Sequence, residues 1–123
     1  MTDSTRSYHR PFAAKPTEHA GVRYASRTEA RRAAELDLLQ RAGEVRWWIG
    51  QVTVRLGCPE NTFRVDFVVC EKDGGVHAED VKAIETREFR RNKELWRKYG
   101  PFPLWVIMGK NLEIIEPEEI DRV

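Results

Sequence analysis

The sequence predicts an α/β fold, a central mixed β-sheet flanked by two main helices, with elements in the order α-β-β-β-α-β-β. Three observations predict it. Two segments, near 27–42 and 86–99, carry apolar residues at helical spacing behind good N-caps. Between them, 45–56 and 62–83 are rich in β-branched and aromatic residues, and the second folds back at Asp73-Gly74-Gly75. Finally, Pro103 to Met108 is a near-continuous apolar run, as expected for a central or parallel strand.

The elements follow in chain order. Residues 1–20 show no periodicity and read as a flexible arm, leaving 21–123 as a single domain. Within the arm, His9, Arg10 and Lys15 are candidates to touch DNA or a second subunit; a tail without a role is the alternative. Ser26 is a good N-cap, and Glu29 three residues on completes a capping-box pattern. The helix is expected from Arg27 to Ala42, ending near Gly43. Its apolar face is assigned to Ala30, Ala33, Ala34, Leu38 and Leu39, with Arg27, Arg31, Arg32 and Arg41 outside it or at its margin.

Val45 to Leu56 reads as one long strand, or two meeting at a bulge at Gly50. Trp47 and Trp48 point to opposite faces. Packing in a core or dimer interface is the ordinary role of such residues, and stacking on DNA is the alternative. Gly57 to Asn61 is a loop. The hairpin arms are Thr62 to Cys70 and Val76 to Ala83, and the glycines between them can take the positive φ that a tight turn needs. On the second arm Asp80 and Lys82 share a face, while His77, Glu79 and Val81 share the other. His77 is expected to be a surface or packed histidine. The second helix runs from the N-cap Thr86 to Tyr99, its core face formed by Phe89, Asn92, Leu95 or Trp96, and Tyr99. Arg87, Arg90, Arg91, Lys93, Arg97 and Lys98 make it basic. Such a surface either tracks phosphates or is solvated with local ion pairs. Gly100-Pro101-Phe102-Pro103 breaks the helix. Gly109 to Asn111 is a turn, Leu112 to Ile115 a last short strand, and the acidic end is expected to form a short helix.

The chain has 123 residues, 41% of them hydrophobic and 33% charged, which suits one soluble core rather than a disordered chain. A net charge of +1 does not announce a nucleic-acid partner. The distribution says more, because Arg and Lys crowd into 23–46 and 87–98, and a local basic surface binds phosphates even when the total cancels. Two cysteines, Cys58 and Cys70, form no zinc pattern, and Cys70 reads as a small buried hydrophobe. No apolar run is long enough for a membrane span, and the N-terminus lacks the apolar stretch of a signal peptide. A reducing, cytoplasmic compartment is therefore expected.

Folding the hairpin about Asp73-Gly74-Gly75 lets Asp66 approach Asp80. Two carboxylates and the Lys82 amine then meet at a sheet surface. Such carboxylates raise each other's pKa unless a cation lies between them, and oxygen-only ligands favour Mg²⁺ or Mn²⁺ over Zn²⁺.

Asp66 followed by Asp80-Val81-Lys82 resembles the PD-(D/E)xK signature of restriction-endonuclease-like nucleases, with Val65 where the signature's name has proline. Ser26-Arg27-Thr28-Glu29-Ala30, Gln51, and Thr86-Arg87-Glu88-Phe89 extend the likeness over roughly 24–99. In this order they resemble a phage-encoded family akin to archaeal-type Holliday junction resolvases. The resemblance implies a restriction-endonuclease-like core, the host cytoplasm for a phage protein, and Mg²⁺-dependent hydrolysis of DNA phosphodiester bonds, with Mn²⁺ as a possible substitute. It implies Asp66, Asp80 and the Val81 carbonyl as metal ligands. Glu29 has two readings, a third metal carboxylate as the resemblance implies, or simply a capping glutamate. Lys82 would orient the attacking water and stabilise the transition state, and Gln51 would hydrogen-bond that water or a phosphate; a plain strand glutamine is the other reading. Candidate DNA contacts are Ser26, Arg27 and Arg31 on the first helix and Thr86, Arg87, Arg90 and Arg91 on the second. Resolvases of this type work as homodimers on branched, four-way DNA, one site per cleaved strand, and Trp47, Trp48 and Trp105 are material for the interface. The alternatives are a nicking or repair nuclease acting on duplex or flap DNA, and a non-catalytic DNA- or protein-binding module that keeps the fold.

Overall fold

The computed structural model describes residues 17–118. These fall into two compact units, with the division after Leu39. His9, Arg10 and Lys15 lie outside the described residues.

The first unit opens with a small hairpin of β1 (Thr17–His19) and β2 (Val22–Tyr24), joined through Ala20 and Gly21, both at positive φ. A two-residue turn with both φ values positive matches the right-handed twist of paired strands. The expected arm, 1–20, therefore overlaps a strand at 17–19, because its turn residues, Ala-Gly, carry a weaker sequence signal than Asn-Gly or Asp-Gly. Helix α1 (Arg27–Arg41) follows and runs on past the division. Ser26 caps it, its Oγ accepting the Glu29 N–H at 3.1 Å. Ala30, Ala33 and Leu36 are the buried apolar residues, and Leu38 is exposed. This corrects the expected face. At 100° per residue, Leu36 continues the stripe of Ala33 three residues on, whereas Leu38 lies 200° from Leu36. His19 Nε2 meets Asp37 Oδ2 at 2.8 Å, tying the hairpin to the helix. Gly43, at φ +83, donates its N–H to the Gln40 carbonyl just beyond the helix end.

The second unit is built on a five-stranded mixed sheet of β3 (Val45–Arg55), β4 (Thr62–Glu71), β5 (Val76–Val81), β6 (Leu104–Met108) and β7 (Asn111–Ile115), in that spatial order. Strands β3, β4 and β5 form an antiparallel meander. Helix α2 (Arg87–Tyr99) then carries the chain across to β6, which pairs parallel to β5, and β7 returns antiparallel at the edge. A parallel neighbour requires such a crossover. The protein is thus a mixed α/β structure, as its patterning predicts.

Helix α2 supplies one wall of the core. Thr86 Oγ1 accepts the Phe89 N–H at 3.1 Å, and Phe89 and Trp96 are buried against Leu56, Phe63, Val65, Val68, Ala78, Leu104, Val106 and Ile115. Trp96 lies edge-on to Phe63 and donates its indole N–H to the Phe102 carbonyl at 2.7 Å. Tyr99, expected in the core face, is half exposed and covers Gly57 at the end of the helix.

Two irregularities shape the sheet. The register between β3 and β4 shifts between Val45 and Trp47, and Gln51, not Gly50, breaks the regularity further along, with φ at +60. Val65 and Val68 both belong to the core beneath α2. Simple alternation would put residues three apart on opposite faces, so the alternation is broken beside Asp66, across from Gln51.

Gly100 ends α2 in extended conformation, where a Cβ would come within 2.5 Å of the Trp96 ring and 2.6 Å of its carbonyl oxygen. Gly100→Ala is expected to cost about 1–3 kcal/mol, the usual penalty for overpacking. Urea denaturation checks this, as a lower midpoint at unchanged slope.

Candidate active site on the β4–β5 hairpin

Strands β4 and β5 pair from Cys70↔Val76 to Phe67↔Glu79. Gly74 takes the positive φ of the turn, at +96, and Gly75 returns its carbonyl to the Glu71 N–H at 2.7 Å. Continuing the same register brings Asp66 opposite Asp80, and there the ladder gives way. Asp66 Oδ2 accepts the Val81 N–H at 2.7 Å, so a side chain stands in for the backbone acceptor. Beyond this point the backbone of β5 holds to β6 instead, with the Lys82 N–H donated to the Ile107 carbonyl at 2.9 Å.

Asp80 and Lys82 share the face beneath α2. The Lys82 ammonium lies 3.0 Å from Asp80 Oδ2 and 4.8 Å from the centre of the Phe89 ring. A cation over an aromatic face is held by the ring quadrupole. Asp80 is 1% exposed. Its Oδ2 has an ion-pair neighbour but no donor in hydrogen-bonding alignment among the described residues. Burial raises the Asp80 pKa to about 7, with repulsion from Asp66 adding to the rise and the Lys82 charge opposing it.

The other predicted residues take varied places. Gln51 is exposed on β3 at the strained position opposite Asp66. A non-glycine residue in the left-handed region costs roughly 1–3 kcal/mol, and such strain concentrates at functional sites. Glu29, in the first unit, is buried, and its charge adds to burial and to Asp37 in raising the pKa of the Tyr24 phenol. Ser26 is occupied as the cap of α1, and Arg27 and Arg31 are exposed on that helix. On α2, Thr86 is the cap and Arg87 and Arg90 are exposed, while Arg91 donates to Asn61 Oδ1 at 3.0 Å. Lys93 leaves the basic surface. Although its burial opposes the charge, hydrogen bonds to Glu85 and Glu113 raise its pKa on balance. Arg97 pairs with Glu94. Of the proposed interface tryptophans, Trp47 is exposed, whereas Trp48 packs edge-on against Phe67 and Trp105 stacks on His77.

Among the described residues no three His, Cys, Asp or Glu side chains form a group able to hold a metal ion. The fit to a metal therefore rests on the Asp66–Asp80 pair. Two carboxylates are a donor set of the kind Mg²⁺ uses, since it keeps several waters and binds through one or two carboxylates with substrate phosphate. A buried carboxylate oxygen without an aligned donor, beside a second carboxylate, is a position that a divalent cation would relieve.

On the opposite face lies a network that the sequence pattern does not announce. His77, 3% exposed, meets Glu71 Oε2 through Nδ1 at 2.9 Å and Glu79 Oε2 through Nε2 at 2.7 Å. Its ring stacks on Trp105 at 3.8 Å. The alternation of His77 and Glu79 carries part of the signal, but Glu71 is across the turn and Trp105 arrives through the parallel crossover.

Comparison with family models, with curated proteins and with solved structures finds no match to this chain.

An acid whose pKa rises on folding contributes stability that is complete below its unfolded value, near 3.8, and lost as pH rises through about 7. In the metal-free protein, Asp80→Asn should therefore match the parent near pH 4 and exceed it in stability by a few kcal/mol at pH 8, since a tenfold change in an acid's ionisation constant corresponds to about 1.4 kcal/mol. Urea unfolding with EDTA at the two pH values reads this directly.

Proposed function

We propose that the protein is a Mg²⁺-dependent endodeoxyribonuclease with a restriction-endonuclease-like core, acting as a homodimer on branched DNA of the Holliday junction type. The observation that carries this reading is the buried Asp80 carboxylate, facing Asp66 across the end of the hairpin ladder and Lys82 along its own face. The order of helices and strands supports it, as does the motif order along the chain. Exposed Trp47 and Ile49, two residues apart on the edge strand β3, offer apolar surface for a second copy.

Asp66, Asp80 and the Val81 carbonyl would hold Mg²⁺. The ion's contribution would be Lewis-acid polarisation of a phosphoryl oxygen and a lower pKa for bound water. Lys82 has its backbone fixed to β6 and its ammonium 4.8 Å above the Phe89 ring centre, so the charge is preorganised. It orients the attacking water and meets the negative charge that develops on the phosphoryl oxygens. Gln51, exposed opposite Asp66, offers an amide to the water or to a phosphate. Exposed Arg87 and Arg90 on α2, and Arg27 and Arg31 on α1, are the candidate backbone contacts to DNA.

The test is cleavage of a synthetic four-way junction beside a linear duplex of the same sequence, with Mg²⁺ or with EDTA. Symmetric nicking of the junction alone, abolished by EDTA, is expected. Asp80→Asn and Lys82→Ala should each lower the rate by about 10²–10³, the effect of removing one preorganised group. Equal cutting of the duplex would remove the junction specificity. Tight binding without cleavage in Mg²⁺ or Mn²⁺ would replace the enzyme with a binding module.

A further inference from the structure

Beside Lys82 the surface dips into a cavity of about 220 Å³. It lies between the start of β4, the end of β5 and the first turns of α2. Its polar lining is Thr62, Arg64, Lys82, Thr86, Glu88 and Asn92, and its apolar lining is Phe63 and Phe89. The two rings meet edge-to-face at 5.9 Å and belong to the core, so this part of the wall is rigid.

The size and lining narrow the ligand. Sites for whole small molecules usually enclose roughly 300–1,000 Å³ and are mainly apolar. This cavity is smaller and mostly polar, which suits one charged group of a larger ligand. Two cations border it. Lys82 is the same ammonium that pairs with Asp80, so the cavity adjoins the candidate active site through a single side chain. Arg64 is exposed and has no ion-pair or hydrogen-bond partner among the described residues. The guanidinium fork matches a phosphate's oxygens. Thr86 Oγ1 accepts the Phe89 N–H, which leaves its own proton to donate outward, and Thr62 and Asn92 add a hydroxyl and an amide. Glu88 opposes an anion from the exposed rim.

We infer that this cavity is a subsite for a backbone phosphate of DNA flanking the one to be cleaved, with Arg64 as its anchoring residue. The inference rests on the nuclease reading and adds to it a fixed register of the strand relative to Asp66 and Asp80. A phosphate held beside Lys82 would place the neighbouring phosphodiester at the carboxylates. Sequence would not be read here, because phosphate contacts position the strand and carry no base information.

Equilibrium binding of a synthetic duplex and four-way junction, in EDTA so that nothing is cut, tests this across a range of salt. Arg64→Gln is expected to weaken binding about tenfold on every sequence and to reduce the slope of log K against log salt by about one, the signature of one lost phosphate contact. Glu88→Gln should tighten binding by about threefold, since it removes a like charge from the rim; a structural role for the cavity predicts no such gain. Lys110→Gln, on the exposed turn between β6 and β7, is the control. If Arg64→Gln keeps the parent's slope, as the control does, the subsite falls while the nuclease reading stands on the parent's own binding and cleavage. If the parent binds neither DNA, both fall together.

Discussion

One carboxylate that cannot easily be charged sets the terms for the candidate active site. Asp80 is closed off from water, lies opposite a second carboxylate, and among the described residues has Lys82 as its cation neighbour. Burying a charge is costly unless it is paired and hydrogen-bonded, and here the pairing is incomplete. The surrounding architecture fixes the conflict in place. The ladder between β4 and β5 ends where Asp66 takes the Val81 N–H, and the backbone of Lys82 is then held by β6. The Asp66 carboxylate cannot turn away without giving up the Val81 N–H, nor Asp80 without giving up its ion pair with Lys82. A buried carboxylate with a raised pKa beside a lysine marks a candidate functional site.

The His77 network gives the same strand a second constraint. His77 and Glu79 are buried on one face of β5 while Ala78 and Asp80 are buried on the other. A slip of one residue would exchange the two faces. His77 and Glu79 would then point beneath α2, away from Glu71 and Trp105, and Asp80 and Lys82 would leave Asp66 and Phe89. The contacts of His77 with Glu71 and Trp105 thus help to specify the register that sets Asp66 opposite Asp80. The adjacent acidic residues Glu79 and Asp80 are therefore not interchangeable.

A third feature lies on β3. Gln51 adopts a positive φ at the position opposite Asp66, and there the core switches from Val65 to Val68 on one face. The strain and the break in alternation free Asp66 from the ordinary pattern of paired strands. The hairpin thus presents its carboxylate to β5 at the point where backbone pairing stops.

Much of the fold was legible in the chain, because it is written in local chemistry. The caps Ser26 and Thr86, the Asp-Gly-Gly turn and the stop at Gly100-Pro101 each act within a few residues, and they set the elements close to their observed limits. The strand period put Asp80 and Lys82 on one side and Glu79 on the other, and counting back from the turn set Asp66 opposite Asp80. What the sequence left open depends on neighbours distant in the chain. Leu36 rather than Leu38 is buried, Gln51 rather than Gly50 takes the irregular backbone, and Trp105 stacks on His77. The burial that raises the Asp80 pKa likewise comes from α2 and β6 closing over β5. By itself, then, the sequence determined which elements form and which charged side chains share a face, since periodicity and turn chemistry are local. Only the tertiary structure decided which of those charges are buried, strained or paired, because burial is a property of everything packed around a residue.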